Sequence, residues 1–215
     1  DNGQLEQILK VECPASIIVG RTGAGKSAML YKTCQQVEHS VNLDPHDISA
    51  RFLEHSNIIQ FFNELDVKLD LFYKLLWRHT LTVELLKLRY SLSTETNTNT
   101  FLKLFADWAS KDKTKQRATE YFNEWGGKFW LETEEHFKEI TQKLTKDVKA
   151  SLSSEYSSIE LSLQGAKSMS NETRSEVKNL ATQVINSIQL ERLSEVLNLL
   201  EQHAFTDKQK KYYIL

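Results

Sequence analysis

Ser16-Ile17-Ile18-Val19-Gly20-Arg21-Thr22-Gly23-Ala24-Gly25-Lys26-Ser27 is the stretch that decides how this chain is read, because Gly20 to Ser27 fits G-x-x-x-x-G-K-[ST]. An apolar, β-favouring run stands before the glycines, and Ala28-Met29-Leu30-Tyr31-Lys32 behind them reads as helix. Strand, glycine loop and helix together form the setting that a phosphate-binding loop requires.

The residue types follow from the chemistry of a triphosphate. Its charges must be held away from water, and glycines let a loop turn its N–H groups inward with no Cβ in the way. A helix beginning near Gly25 adds its N-terminal dipole at the same spot. The expected nucleotide-binding set is Gly20, Arg21, Thr22, Gly23, Ala24, Gly25, Lys26, Ser27 and Ala28. Lys26 is the expected catalytic residue, reaching the β- and γ-phosphates, and the Ser27 hydroxyl is the expected Mg²⁺ ligand. ATP and Mg²⁺ are therefore the ligands expected.

Composition sets the frame. The 215 residues carry 27 Lys and Arg against 29 Asp and Glu, so no global basic field argues for nucleic acid. Glycine (7) and proline (2) are scarce, which favours long helices over a turn-rich β protein. Cys13 and Cys34 are too few for a secreted disulfide framework and lack metal-ligand spacing, so both read as small buried hydrophobes. No leader-type pattern is present. The most apolar region, Leu69 to Leu88, is interrupted by Asp70, Lys74, Arg78, His79, Glu84 and Lys87, against a membrane span. The expectation is a cytoplasmic protein. The opening Asp1 and the closing Tyr212-Tyr213-Ile214-Leu215 suggest a segment of a longer protein.

Along the chain, Gln4 to Lys10 reads as a short helix and Ile17 to Gly20 as a core strand buried on both faces. A helix from Gly25 to about Glu38 and a second strand at Val41-Asn42-Leu43 follow. From about Ile48 to Ala204 the pattern is nearly all helical. Leu69, Phe72, Leu75, Leu76, Val83, Leu86 and Tyr90 mark one long amphipathic helix. Ser91 to Thr100 reads as a polar loop, Phe101–Trp108 and Ala118–Trp125 as helices, and Phe137, Ile140, Leu144 and Val148 as the stripe of another. Ile159 to Leu163 alternates and suggests a ribbon strand. Ser170 to Thr173 looks like an N-cap region, opening one long helix with a phase slip before Leu190.

The expected fold class is therefore α/β, a P-loop NTPase core with a parallel sheet and a large, mostly α-helical insertion. Residues 1–47 hold the first part of the core, 48–205 the insertion, and 206–215 the returning core strand. Small-GTPase elements are missing: no Asp has Gly three residues later, and no Asn-Lys pair exists. Leu161-Ser162-Leu163-Gln164-Gly165 is not the Leu-Ser-Gly-Gly-Gln signature of transporter-type ATPases. Adenine specificity is favoured by elimination.

Leu65-Asp66-Val67-Lys68-Leu69-Asp70-Leu71-Phe72-Tyr73-Lys74-Leu75-Leu76-Trp77-Arg78-His79, with Glu84-Leu85-Leu86-Lys87, resembles a bacterial P-loop ATPase family allied to the KAP and STAND branches of the AAA-like ATPases. The resemblance covers the phosphate loop, the Trp77 helix and the closing Tyr-Tyr-Ile-Leu strand. It implies an acidic Walker B motif directly after that strand, and an association with antiviral (antiphage) defence or stress switching.

Other candidates read more plainly. Arg21 is expected as an exposed loop residue, Arg78 and His79 as a helix-surface pair, and His46-Asp47 as a solvated turn. Tyr121, Phe122, Trp125, Phe129 and Trp130 are interleaved with Lys111, Lys113, Lys115, Arg117 and Lys128. Glu120, Glu124 and Glu132 mixed among them favour a core helix with a basic edge over a nucleic-acid surface. Lys208, Lys210 and Lys211 read as a solvated lead into the last strand. The function expected is an ATPase that switches shape or assembly, with self-association or a partner protein engaged through the helical insertion. The alternatives are a nucleotide-binding interaction scaffold without turnover, or a P-loop kinase of a small acceptor.

Overall fold

Helices with one apolar stripe must bury that stripe against one another, and the stripes of this chain do so. The computed structural model describes residues 4–13, 18–43, 53, 55–93, 95–110, 116–128, 131, 133–187 and 190–215. Asp44 to Asp47, Lys111 to Lys115, Phe129, Trp130 and Glu132 lie outside them, as do Ser16 and Ile17.

In chain order come α1 (Gln4–Leu9), α2 (Lys26–Gln36), β1 (Ser40–Val41), α3 (Asn57–Glu64), α4 (Asp70–Tyr90) and α5 (Glu95–Ser110). Next are α6 (Gln116–Trp125), continued by a 3-10 turn at Gly126–Lys128, and α7 (Thr133–Ser151). The chain closes with α8 (Leu163–Lys167), α9 (Asn171–Asn186), α10 (Leu190–His203) and β2 (Tyr213–Ile214).

The body is α3 to α10. On α4, Phe72, Leu76, Val83 and Leu86 are buried, and on α7 the stripe Phe137, Ile140, Leu144 and Val148 meets them. Trp77 packs edge-on to Phe137 with ring centroids 5.4 Å apart, so the Trp that marks the resemblance is a packing residue here. Phe101 and Phe105 of α5 close on Phe122 of α6, at 5.6 and 3.7 Å between centroids. Ion pairs lace the outside: Lys178 meets Asp66 at 3.0 Å, and Arg174 reaches both the carboxylate and the carbonyl of Glu64.

The expected α/β core is not what forms. Among the described residues the only sheet is β1 paired in parallel with β2, two residues each, with Ser40 opposite Tyr213 and Val41 opposite Ile214. The fold is essentially all helical. The run before the glycines shows why: Ile18 to Gly20 is not a strand, and Val19 is 90 % exposed. A parallel strand is buried on both faces, and here α2 buries only Thr33.

Three further readings are corrected. The polar stretch 91–100 is not a loop, because α5 begins at Glu95. Thr98 is buried and the Thr100 hydroxyl donates to the Thr96 carbonyl at 3.0 Å, so packing overrides weak helix propensity. Residues 159–163 form no strand; Ser162 caps α8 by accepting from the Gly165 N–H at 3.1 Å. The phase slip before Leu190 separates two helices, α9 and α10. At Ser170 the reading holds, since its hydroxyl accepts from the Thr173 N–H at 3.2 Å and caps α9.

The two ends of the chain meet at one corner. Lys211 is no solvated lead: its ammonium donates to the carbonyls of Ile8 (3.1 Å), Lys10 (3.1 Å) and Cys13 (3.0 Å). The Ile8 carbonyl belongs to the last turn of α1, which has no intrahelical donor for it. Those of Lys10 and Cys13 lie in the turn that follows, where the Cys13 N–H also donates to the Lys10 carbonyl at 3.2 Å. The Tyr213 hydroxyl adds a bond to the Ile8 carbonyl at 3.0 Å. β1 and β2 both touch α4, which joins this corner to the body. Cys13 and Cys34 are free and half-buried.

Candidate functional site

The loop from Gly20 to Ser27 is on the surface, and its shape comes from two glycines. Gly23 has φ 80° and Gly25 φ 83°, left-handed values that L-residues rarely adopt. A Cβ at either would meet nothing within 4 Å, so both glycines face open space. Gly25 is also the N-cap of α2, with no side chain bonded to the helix amides. The first-turn N–H groups of Lys26, Ser27 and Ala28 have no intrahelical acceptor and are directed along the axis toward the loop. One loop amide turns inward, Ala24 donating to the Arg21 carbonyl at 3.1 Å.

Lys26 folds back over this turn. Its ammonium donates to the carbonyls of Gly20 and Arg21, both at 2.8 Å, which puts the positive charge on the loop itself. Arg21, Thr22, Ala24, Ser27 and Ala28 are exposed. All nine residues of the expected set thus lie in one exposed turn and the first turn of a helix. Donors of one sign gather there: helix amides, the α2 dipole and one ammonium. The chemistry they offer is anion binding. Ser27 would supply one oxygen to a cation accompanying a phosphate.

A second cluster lies in the body and was missed at sequence level. His79 on α4 is 1 % exposed and His136 on α7 is fully buried, so the expected surface pair Arg78–His79 is split. Arg78 stays half-buried and reaches the Ser194 hydroxyl at 3.4 Å. His79 Nε2 lies 3.3 Å from His136 Nδ1, and the Tyr121 hydroxyl lies 2.6 Å from His79 Nδ1. Trp125 covers His79 with ring centroids 4.3 Å apart. His136 Nε2 is buried without a hydrogen-bond partner. The signal was present in the spacing. Position 79 falls three after Leu76 and four before Val83, on the buried stripe, and His136 precedes Ile140 by four.

Burial decides the charge of this cluster. It holds His79 well below the ordinary imidazole range, helped by the neighbouring His136. It lowers His136 to about 3, with Lys87 and Lys128 acting in the same direction. Burial also pushes the Tyr121 phenol well up, with Glu124 assisting. Both imidazoles are neutral at pH 7, and their hydrogen bonds form a single chain, Tyr121–His79–His136.

Among the described residues no group of three or more His, Cys, Asp or Glu side chains could hold a metal ion. No helix among them is long and apolar enough to cross a membrane. No family model, no curated protein and no solved structure matches this chain.

Proposed function

We propose that this protein binds ATP through the Gly20–Ser27 loop, and that nucleotide occupancy is conveyed from the loop to the helical body. The observation that carries the reading is the conjunction at the loop: Gly23 and Gly25 both in the left-handed region, with the Lys26 ammonium poised on the carbonyls of Gly20 and Arg21. A triphosphate would take over the ammonium and the first-turn amides of α2, with Ser27 offering an oxygen to Mg²⁺. The body would receive the signal through β1, which follows α2 and touches α4.

Titration with Mg-ATP by calorimetry tests the claim. Removing a charge-assisted hydrogen bond costs about 1.5–3 kcal/mol, so Lys26→Ala is expected to weaken binding roughly tenfold to a hundredfold. Equal affinity in wild type and variant would end the proposal. Measuring phosphate release in the same samples distinguishes a switch that turns ATP over from one that only binds it.

A further inference from the structure

A cavity of about 260 Å³ opens between α4, α6, α7, α9 and α10, remote in sequence from the phosphate loop. Its interior is aromatic and aliphatic: Phe72, Trp125, Leu144 and Leu193 are buried and line it, with His79 and Tyr121 as its polar wall. Its exposed rim carries Glu124, Lys143 and Asp147, with half-buried Arg192 beside them. The geometry points to a binding site for a small, uncharged aromatic molecule that carries one hydroxyl or N–H donor.

Charge is the first reason for that class. Arg192 pairs with Glu120 at 3.3 Å and Glu124 at 3.0 Å, and Lys143 with Glu124 at 3.6 Å and Asp147 at 3.1 Å. Arg192 Nε is left without a partner, but Glu124 and Asp147 line the same cavity and repel an anion. A cation would compete with Arg192 and Lys143 for those carboxylates, so an uncharged ligand is favoured. Size and shape are the second. Wells of this kind, concave and apolar with a few fixed polar groups, take small organic molecules, and a ring can lie against Trp125 and Phe72.

The donor follows from Tyr121. A hydroxyl has one hydrogen and two lone pairs. One of these meets His79 Nδ1 at 2.6 Å. Whichever partner donates, the phenol oxygen keeps a lone pair to accept from a ligand. A molecule presenting an O–H or N–H is thus preferred over the same ring without one.

Phenol, toluene and benzoate serve as probes, titrated into the full chain and followed by ligand-detected NMR. Phenol is expected to bind saturably at millimolar concentration. Toluene should bind roughly fivefold more weakly, the equivalent of one neutral hydrogen bond, and that gap should vanish in Tyr121→Phe. Benzoate should not saturate. Val184→Trp, which fills the cavity from α9, and Ser187→Trp, at its exposed rim, should each abolish phenol binding. Helical circular dichroism shows which of the two blocks keeps the fold, and the folded one decides. No saturable phenol binding by wild type, binding that survives a folded block, or benzoate binding as tightly as phenol would each overturn the assignment.

Discussion

Gly25 and Gly165 show how differently two glycines can matter. At Gly25 the backbone, with φ 83°, needs a residue without a Cβ penalty, although space is free around it. A β-branched side chain there costs about 1–2 kcal/mol in the loop's conformation. Gly25→Val is therefore expected to weaken Mg-ATP binding about tenfold while leaving the thermal midpoint of the body in place. Calorimetry and a melting curve on the same sample check both halves. At Gly165 the backbone is ordinary, but a Cβ would overlap the Glu160 carbonyl oxygen, which is main chain and cannot swing aside. Gly165→Ala should lose about 1–3 kcal/mol of stability in urea unfolding. Gly127→Ala, with nothing within 4 Å of the new Cβ and no left-handed φ, is the matched control and should be near neutral.

Between elements, the joint of α4, α6 and α7 is held by neutral histidines, and this makes the packing sensitive to acid. The folded His136 has a pKa of about 3, against an unfolded value of 6.5. For a base whose folded pKa is depressed, the unfolded state takes up the proton first. The stabilisation is complete above pH 6.5 and is lost as pH falls from there toward 3. Each pH unit in that window removes about 1.4 kcal/mol for one such group. His136 alone accounts for about 2 kcal/mol by pH 5, and His79 acts in the same direction. Denaturant midpoints at pH 7 and pH 5 should differ accordingly, and His136→Phe should reduce the difference. The facing charges do not supply a rescue: Glu84 is engaged by Lys87, Glu139 by Lys128, and Glu124 by Arg192 and Lys143. At the other joint, Lys211→Met removes the donor shared by Ile8, Lys10 and Cys13. Amide exchange across α1 should then rise several-fold while α4 and α7 stay protected, because short helices depend on tertiary anchoring.

At the scale of the molecule, the hydrophobic body and the phosphate loop are only loosely joined. α2 buries Thr33 alone, whereas the body buries whole faces of five long helices. A ligand raises stability only of the unit that must unfold to release it. Mg-ATP is thus expected to protect the amides around Gly20 to Ala28 most strongly from exchange, with a smaller change carried to β1 and the part of α4 that it touches, and little shift in the body's melting temperature. What the residues disclosed follows the same division. Periodicity located the stripes of α4 and α7, and the serine cap at Ser170, because a helix face and a cap are decided within a few turns of chain. The β-type runs at Val41 to Leu43 and at Tyr212 to Leu215 were legible as strands, whereas their pairing with each other is a long-range contact that neither run discloses. The sheet expected around Val19 does not form, since a strand exists only if neighbours supply its ladder, and that information is not local. The loop was found through its motif. The histidine cluster is concealed because an imidazole is polar by type, and only its three- and four-residue spacing from Leu76, Val83 and Ile140 places it on the buried stripe.

The buried Tyr121–His79–His136 string has one more property, which concerns direction and not charge. Either the phenol gives its hydrogen to His79 and that ring gives one to His136, or both arrows point the other way. A mixed arrangement would set two hydrogens, or two lone pairs, against each other across a 2.6 or 3.3 Å gap. The two rings must therefore change tautomer in concert. Nitrogen-15 spectra should show the δ and ε signals of both imidazoles trading places together, never in one ring alone.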